Sequence, residues 1–324
     1  MIRYLAVRLA QALAVLWAAY TLAFVILYGL PGDPAALIAS GGDPANSTAT
    51  PEQIAALRAQ YGLDQPVGVQ YLQHLVALLQ GDLGTSPRTG PVAASILAAV
   101  PATAQIAGLG AVIAVIGGGG LALVATYLRV GWLRQLLLSL PPLGVSVPSF
   151  WLALILLQVF SFRLGWFPAF GNEGFASLVL PSVTLAVLGG AIIAQVFARS
   201  LRSEATSAYV ELASAKGASR ARVHLRHTAR NATLPTLTIV GILVGQFLGG
   251  AVVTETVYSR TGLGQLTATA VSTQDIPLAL GIVVFGAAIV VVCTLIIDLV
   301  YPLLDPRIVL VRRNLRTSAE EARS

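Results

Sequence analysis

The sequence predicts an all-α membrane protein with six transmembrane helices, both termini in the cytoplasm and a small helical extracytoplasmic region after the first helix. Composition is the first observation: of the 324 residues, 56% are hydrophobic and only 10% are charged, whereas soluble domains carry about 25% charged residues. The second is a set of six apolar runs that reach the roughly 20 residues a helix needs to cross a bilayer. The third is the gathering of arginines between these runs, which is typical of cytoplasmic loops.

Residues 1–30 form the predicted N-terminal transmembrane helix, whose apolar run extends from about Leu9 to Leu30 and follows Arg3 and Arg8. A cleaved signal peptide is the alternative, but the apolar core of such a peptide is usually only about 7–15 residues long. We therefore expect an uncleaved anchor whose N-terminus stays in the cytoplasm.

Residues 31–95 are less apolar and are predicted to form the extracytoplasmic region. Thr50-Pro51-Glu52 is typical of a helix start, because proline suits the first helical position and an acid suits the first turn. This helix should end near Gly62. A second, amphipathic helix is expected from Val69 to Leu79.

Residues 96–308 form the predicted five-helix core, with a cytoplasmic loop at 200–235, and residues 309–324 form a cytoplasmic tail. The five remaining apolar runs cover about Ala94 to Leu128, Leu136 to Phe160, Leu178 to Phe197, Leu237 to Val253 and Leu278 to Leu304.

Two of these runs contain residues that weaken a helix. Gly117 to Gly120 lie in the second run, and each glycine costs about 1 kcal/mol relative to alanine, so we expect close helix packing or a bend there. The third run contains Pro141, Pro142 and Pro148. Such breaks are tolerated in membranes only where protein or water satisfies the freed backbone groups, so we expect this helix to face the protein interior.

The distribution of basic residues predicts the orientation. With six spans and a cytoplasmic N-terminus, all but four of the 20 basic residues lie on the cytoplasmic side. The exceptions are Arg58, Arg88, Arg163 and Arg260. The inverted topology would reverse this distribution, so the positive-inside rule favours the first orientation. The rule also explains the basic composition without nucleic acid, because the arginines lie beside apolar spans.

The sequence lacks the motifs of ATP binding and of intramembrane hydrolysis. Lys216, the only lysine, lies between Ala215 and Gly217, so there is no Gly-Lys-Ser/Thr phosphate-binding signature. Neither His-Glu-x-x-His nor Gly-x-Ser-x-Gly occurs, and the single cysteine, Cys293, excludes an intrachain disulfide. We therefore predict no catalytic residue, no metal site and no cofactor bound by this chain.

Three further polar residues lie where chemistry is conceivable. His224 and His227 are three positions apart and could share a helix face as metal ligands, but arginines surround them and no third ligand is evident, so a structural role is favoured. Asp298 is the only acid deep in an apolar run. Intramembrane acids mark functional sites by default, but a structural pairing with the neighbouring arginines is equally open.

The basic cytoplasmic loop contains the motif on which the functional interpretation depends. Glu211, Ala213 and Gly217 follow the order Glu-x-Ala-x-x-x-Gly. In a helix, Tyr209, Ala213 and Lys216 share one side, and Gly217 can take the left-handed conformation that ends a helix. This pattern resembles the EAA loop of ABC-importer permeases, a helix that docks into a groove of the ATPase subunit. The alternative is a basic helix lying on anionic lipid, which the nearby arginines would equally favour.

The whole chain resembles the permease subunit of the dipeptide/oligopeptide/nickel class of ABC importers, in particular the member of the pair with a large outer region after its first span. The resemblance covers nearly the full length. Its marks include Gly32-Asp33-Pro34, Tyr61-Gly62-Leu63-Asp64-Gln65-Pro66, Gly81-Asp82-Leu83-Gly84-Thr85-Ser86, Ala213-Ser214-Ala215-Lys216-Gly217, Arg230-Asn231-Ala232-Thr233-Leu234-Pro235, Glu255-Thr256-Val257-Tyr258 with Gly262-Leu263-Gly264, and Asp305-Pro306-Arg307.

This resemblance implies an importer permease in the bacterial cytoplasmic membrane. A second homologous permease would complete the translocation path, two ATPase subunits would bind ATP and Mg²⁺, and an extracytoplasmic binding protein would deliver the substrate. The residues implied in ATPase coupling are Tyr209, Glu211, Ala213, Ala215, Lys216 and Gly217. Peptides are the first expectation for the substrate, with nickel chelates or glutathione-like solutes as alternatives. A secondary carrier or channel without ATPases, or a non-transport scaffold, is the alternative from another class.

The polar loop between the last two spans is the second candidate site. Glu255 and Asp275 flank a glycine-bearing segment that is too polar to cross the membrane. We expect this segment to fold back toward the mouth of the pathway, where it would gate the pathway or receive the binding protein. Gly262 and Gly264 would allow the tight turns.

Overall fold

In a computed structural model, the backbone is described for residues 2–29, 32–40 and 49–304, and the side chains for 6–29, 32–40 and 49–296. The described residues are almost entirely helical. The helices are α1 (Ile2–Gly29), α2 (Pro34–Ala39), α3 (Pro51–Gln60), α4 (Val67–Leu79), α5 (Val92–Tyr127), α6 (Gly131–Ser146), α7 (Ser149–Leu156), α8 (Ala176–Glu204), α9 (Ala208–Ala215), α10 (Arg220–Arg222), α11 (Ala229–Val257), α12 (Leu263–Ser272) and α13 (Ile276–Leu304). Two π-helical segments continue α7 and α10 at Leu157–Arg163 and Val223–Thr228, and strands β1 (Thr85–Ser86) and β2 (Gly90–Pro91) form a short antiparallel hairpin.

Five helical segments in the described part of the chain are long and apolar enough to cross a membrane. They are Ala6–Gly29, Val92–Tyr127, Ala176–Glu204, Arg220–Val257 and Ile276–Ile296. A sixth span results if α6 and the helical segment Ser149–Arg163 are counted together. The prediction of a mostly helical membrane protein is therefore confirmed, with five or six candidate spans. The tail 309–324 and the side chain of Asp298 lie outside the described part.

The third predicted helix is not one straight helix, which corrects the sequence prediction. Its two halves are bent by 103° at a short break that contains Pro148, a residue with no N–H to continue the helical hydrogen bonds. Pro141 and Pro142 lie inside α6 without ending it. The expectation that this segment faces the interior holds for only part of its surface: Ala153 and Leu157 are 0% and 3% exposed, whereas Leu143 is 61% and Trp151 51% exposed.

One compact unit comprises Met1–Leu109, Ser149–Leu185 and Phe247–Ile289. Aromatic side chains attach α4 to α1 in its largest core cluster: the Tyr20 hydroxyl donates to the Tyr71 carbonyl oxygen at 3.0 Å, and the rings of Phe24 and Tyr71 meet edge to face at 5.2 Å. The polar segment after α1 is thus packed against that helix.

The predicted start of α3 is confirmed in this unit. Thr50 is its N-cap, Pro51 is its first residue, and Thr50 and Gln53 exchange the two hydrogen bonds of a capping box. An ion pair between Arg58 and Asp33 at 2.6 Å links α3 to the N-cap of α2. The sequence analysis did not anticipate α2 or the β-hairpin.

The other compact unit comprises Gly110–Pro148, Ala186–Gln246 and Val290–Ser324. A Cβ atom on Gly118 would lie 2.2 Å from the carbonyl oxygen of Gly190, so α5 and α8 approach closely only because both positions lack a side chain. The expectation of close packing at the glycine run is confirmed at Gly118. At Gly117, Gly119 and Gly120 a Cβ would have nothing within 4 Å.

Candidate functional site

The short helix α9 has a defined end at both sides. Ser207 is its N-cap residue, with an extended backbone. At the other end the N–H of Ala218 donates to the Ala213 carbonyl at 3.1 Å, and the N–H of Gly217 donates to Ser214 at 3.0 Å. Gly217 has φ +83°, so the helix ends in the Schellman motif, in which the residue after the cap takes a left-handed conformation. The predicted role of Gly217 in ending the helix is confirmed.

α9 attaches through one apolar residue and leaves the rest of its surface open. Val210 is only 7% exposed, whereas Leu212 is 55% exposed. Glu211, Ala215 and Lys216 are exposed and Ala213 is half-buried. An eight-residue helix with a buried anchor and an open surface of small, charged and apolar residues is suited to contact with another protein.

The first turn of α9 is connected to the end of α8. The Tyr209 hydroxyl donates to a Glu204 carboxylate oxygen at 2.5 Å. Partial burial and the hydrogen bond to Glu204 raise the pKa of the Tyr209 hydroxyl, so Tyr209 remains a hydrogen-bond donor at neutral pH. Tyr209 therefore attaches α9 to the end of α8, and its side chain is still 36% exposed at the surface.

The segment after α9 is attached to the end of α5 by two basic side chains. A terminal nitrogen of Arg220 donates to the Tyr127 carbonyl oxygen, and the guanidinium carbon lies 4.7 Å from the centre of the Tyr127 ring, in the range of a cation–π contact. His224 contributes Nε2 at 3.2 Å from the Leu123 carbonyl, and its ring centre is 5.5 Å from that of Tyr127. We call Arg220, His224 and Tyr127 the α5 clamp.

The second candidate site contains a buried carboxylate at the start of α12. Glu255 is 0% exposed. One of its oxygens accepts the Thr103 hydroxyl at 2.6 Å, and the other accepts the N–H groups of Gly264 at 2.7 Å and Gln265 at 3.1 Å. The Thr103 oxygen in turn accepts the N–H of Leu263 at 2.8 Å. Glu255 and Thr103 thus satisfy the first three N–H groups of α12, which have no partner within a helix.

The two glycines are required for a reason other than the one predicted. Gly262 has φ −123°, so neither it nor Gly264 adopts the positive φ that a glycine turn would need. Instead, a Cβ on Gly262 would lie 2.3 Å from Glu255 Oε1, and a Cβ on Gly264 would lie 2.4 Å from the backbone carbon of Ala251. The glycines therefore allow α12 to approach α11 and the buried carboxylate.

Arg260 is a buried charge that the sequence analysis did not select. It is 0% exposed, and its NH1 donates to the Gly171 carbonyl at 2.9 Å and to the Ser177 carbonyl and hydroxyl at 3.1 Å each. Burial lowers the pKa of its guanidinium and the negative charge of Glu255 opposes that shift. Arg260 therefore holds the turn between α11 and α12 against the loop before α8.

Asp275 caps the start of α13, the helix that follows α12. It is 3% exposed, and its carboxylate accepts the N–H of Leu278 in the first turn of α13 at 3.2 Å. The second oxygen accepts the Ser86 hydroxyl at 2.5 Å, so Asp275 joins α13 to the β-hairpin. Asp275 also lines a cavity of about 430 Å³ together with His74.

The structure brings some predicted residues together and separates others. Glu255, Gly262 and Gly264 meet in one site, whereas Asp275 lies at the opposite end of α12. Thr103, Arg260 and Ser86 belong to these sites but were not predicted. Of these three, only Arg260 could have been suspected from the sequence, since it is one of four basic residues that the predicted topology places on the extracytoplasmic side, where few are expected. Among the described residues, no group of three potential metal-binding side chains occurs around His224 and His227 or elsewhere.

Comparisons with known proteins match most of the chain. Residues 118–310 match the family model described as "Binding-protein-dependent transport system inner membrane component", and residues 1–102 match the model of its N-terminal part. Similar proteins include a glutathione transport system permease of Salmonella typhimurium, 35% identical over 313 residues that cover 95% of this chain and 99% of the relative. A dipeptide transport system permease of Alkalihalophilus pseudofirmus is 32% identical, with the same two coverages.

Proposed function

The chain belongs to the family of binding-protein-dependent transport system inner membrane components, and we propose that it imports peptides as one of two permease subunits of an ATP-driven transporter. As a member of this family it is a multi-pass permease of the bacterial inner membrane and not the ATPase. Two partner ATPases would bind ATP and Mg²⁺, a homologous permease would complete the path, and an extracytoplasmic binding protein would deliver the substrate.

The geometry of α9 is the observation that supports coupling to an ATPase. A helix lying on anionic lipid would turn its apolar residues outward and keep acids away from the headgroups. In α9 the apolar Val210 is turned inward, and the acid Glu211 lies on the same open surface as the exposed Leu212, where it would meet the lipid headgroups. This arrangement favours a protein partner, and α9 would be the part of the chain that docks onto the ATPase.

The bent third segment would have to cross the membrane for this proposal to hold. From a cytoplasmic N-terminus, α1 leads out and α5 leads back in. If α6 and α7 together led out again, α8 would return the chain to the cytoplasm and place the basic 200–235 loop there, in agreement with the positive-inside rule. A segment that turned back without crossing would put α9 outside, where no ATPase could reach it.

Cysteine labelling would test this topology. The single cysteine, Cys293, would first be replaced by alanine. Cysteine introduced at the exposed Ala56 should react with an impermeant thiol reagent in intact cells, and cysteine at the exposed Ala221 should react only after lysis. Labelling of position 221 from outside would contradict the six-span arrangement.

The names of the relatives support peptides as the substrate class. Their printed substrates are a dipeptide and glutathione, and both present free carboxylates and amide groups. We propose short peptides for this chain, and glutathione-like solutes as the alternative within the same class.

Uptake by proteoliposomes would test the proposed function. The tagged permease should copurify with an ATPase. The reconstituted complex should accumulate labelled dipeptide only when ATP is supplied on the side of the membrane where the ATPase lies and the binding protein is present on the opposite side. Uptake driven by a proton gradient without any ATPase would instead indicate a secondary carrier.

We propose that α12 forms part of the outer gate. A buried carboxylate lies at each end of α12. Glu255 accepts N–H groups at the start of α12, and Asp275, which follows α12, accepts an N–H group at the start of α13. The Asp275 bond to Ser86 also connects this segment to the β-hairpin after α4. A binding protein that moved the hairpin would therefore act on α12 through these contacts.

A further inference from the structure

Two adjoining cavities in the second compact unit are lined by both arginines and apolar residues. The larger has a volume of about 670 Å³ and is lined by polar residues that include Arg134, Arg202 and Gln135. The smaller, of about 360 Å³, shares Arg202 and Leu138 with the larger one and adds Arg199 among mostly apolar residues. The pair of cavities is therefore amphipathic, with Arg202 at the junction.

The positive charge of these cavities is not neutralised by the described part of the chain. Their lining contains three arginines and no acidic residue. Among the described side chains, the ion pair within 4.0 Å is the one between Arg58 and Asp33, which lies in the other unit. Arg202 donates from Nε to the Ala198 carbonyl at 3.3 Å, and a neutral carbonyl leaves its charge in place.

The face of α6 that is turned away from the cavities is suited to lipid, so this helix can lie at the boundary with the bilayer. Leu136 and Leu140 are 50% and 43% exposed, and Leu143 is 61% exposed. These leucines recur at helical spacing and form an apolar stripe. Trp132, which is 70% exposed, is next to the cavity-lining Gly131, and exposed tryptophan is typical of the membrane–water interface.

We propose that the two cavities bind one anionic phospholipid. Its phosphate would lie between Arg134 and Arg202, and an acyl chain would lie against apolar residues that line the smaller cavity, such as Leu138, Pro141 and Val196. Basic pockets between transmembrane helices are suited to anionic headgroups. An anionic lipid supplies a negative charge that the described lining lacks, whereas a zwitterionic headgroup brings a cation of its own to the three arginines.

Native mass spectrometry would count the bound lipid. The full-length chain would be purified with the subunits that accompany it, stripped of lipid and titrated with phosphatidylglycerol or phosphatidylcholine. The test variant is Arg134→Gln with Arg202→Gln. Arg129→Gln is the control, because it removes one positive charge from an exposed position of the α5–α6 loop that lines neither cavity.

One phosphatidylglycerol should bind more tightly than phosphatidylcholine. Binding should weaken roughly 30-fold in the double variant, from about fivefold for each arginine, and should be unchanged in Arg129→Gln. The double lysine variant, Arg134→Lys with Arg202→Lys, should retain most of the binding because the charge remains.

Several results would overturn the proposal. They are equal binding of the two lipids, unchanged phosphatidylglycerol binding in the double glutamine variant, and equal weakening in Arg129→Gln. Displacement of the lipid by millimolar glycerol phosphate or inorganic phosphate would also contradict it, because the site would then bind a free phosphate and not a phospholipid.

Discussion

The Thr103 hydroxyl donates a 2.6 Å hydrogen bond to the Glu255 carboxylate, although 152 positions separate the two residues in the chain. Together these side chains accept the first three N–H groups of α12. A buried carboxylate supplied by another helix thus performs the capping that Gly262, the N-cap residue of α12, cannot perform.

Removal of this buried acceptor should destabilise α12. Glu255→Ala leaves N–H groups of α12 without partners, and each lost hydrogen bond to a charged group costs about 1.5–3 kcal/mol. Thr103→Val should cost less, because the carboxylate remains. Thermal unfolding in detergent would compare the two variants and their combination. A double variant whose loss equals the sum of the single losses would show that Glu255 and Thr103 do not act as one cap.

Added volume at Gly264 should separate α12 from α11. A Cβ there would lie 2.4 Å from backbone atoms of Ala251, which cannot rotate away as a side chain can. Gly264→Val should therefore abolish uptake. Gly249→Val, where a Cβ would have nothing within 4 Å, should leave uptake largely intact. Normal uptake with Gly264→Val would remove the proposed role of α12 in the gate, provided that permease levels in the membrane are equal.

The α5 clamp should matter for transport after the ATPase has docked. Arg220→Gln removes the contact with Tyr127 but leaves α9 and its surface unchanged, so the ATPase should remain bound while more ATP is hydrolysed for each peptide imported. Arg222→Gln, an exposed arginine two positions away, is the control and should keep the normal ratio. Equal ratios in the two variants would show that the clamp does not transmit motion.

Stability should fall in mild acid because of His74. Burial lowers the pKa of His74 below its ordinary value of 6.5, so the unfolded chain takes up the proton at a higher pH than the folded protein does. The folded state is therefore favoured above pH 6.5, and this contribution is lost as the pH falls through the folded pKa. The unfolding temperature should drop less between pH 7.5 and 5.5 in His74→Gln than in the unchanged protein. An identical drop would exclude His74 as the cause.

Much of the helical fold could be predicted because its signals are local. Apolar length marks the spans, Thr50 and Pro51 mark the start of α3, and Gly217 marks the end of α9. The bend at Pro148 was predicted only as a weakness, because the angle that follows depends on packing. Thr103 and Ser86 could not be identified, since a single hydroxyl becomes a partner of Glu255 or Asp275 only when distant segments meet.

The same distinction applies to the glycines of α12. Their presence suggested turns, because a sequence reveals the freedom of a glycine but not the atoms that surround it. The actual constraint at Gly264 comes from the backbone of α11, thirteen positions earlier at Ala251. At Gly217, where a Cβ would meet nothing within 4 Å, conformational freedom is the whole requirement, and the sequence prediction was correct.

Copurification of the ATPase with Gly217 variants tests the central claim, which is that α9 couples this permease to an ATPase. Leucine at a left-handed position is strained by roughly 1–2 kcal/mol, and escape from that conformation would misdirect the end of α9. Gly217→Leu should therefore reduce copurified ATPase by about tenfold, which corresponds to about 1.4 kcal/mol, while Gly217→Asn should retain it because asparagine tolerates this conformation. Glu211→Lys should act like Gly217→Leu through charge reversal at the docking surface.

Gly62→Leu is the matched control for this measurement. Gly62 also has a positive φ, +65°, with nothing within 4 Å of its Cβ position, so the substitution imposes the same strain away from α9. The ATPase should be lost from Gly217→Leu and Glu211→Lys and retained by Gly62→Leu, with all permeases at equal levels in the membrane. Full ATPase retention and normal peptide uptake by both α9 variants would contradict the coupling role of α9.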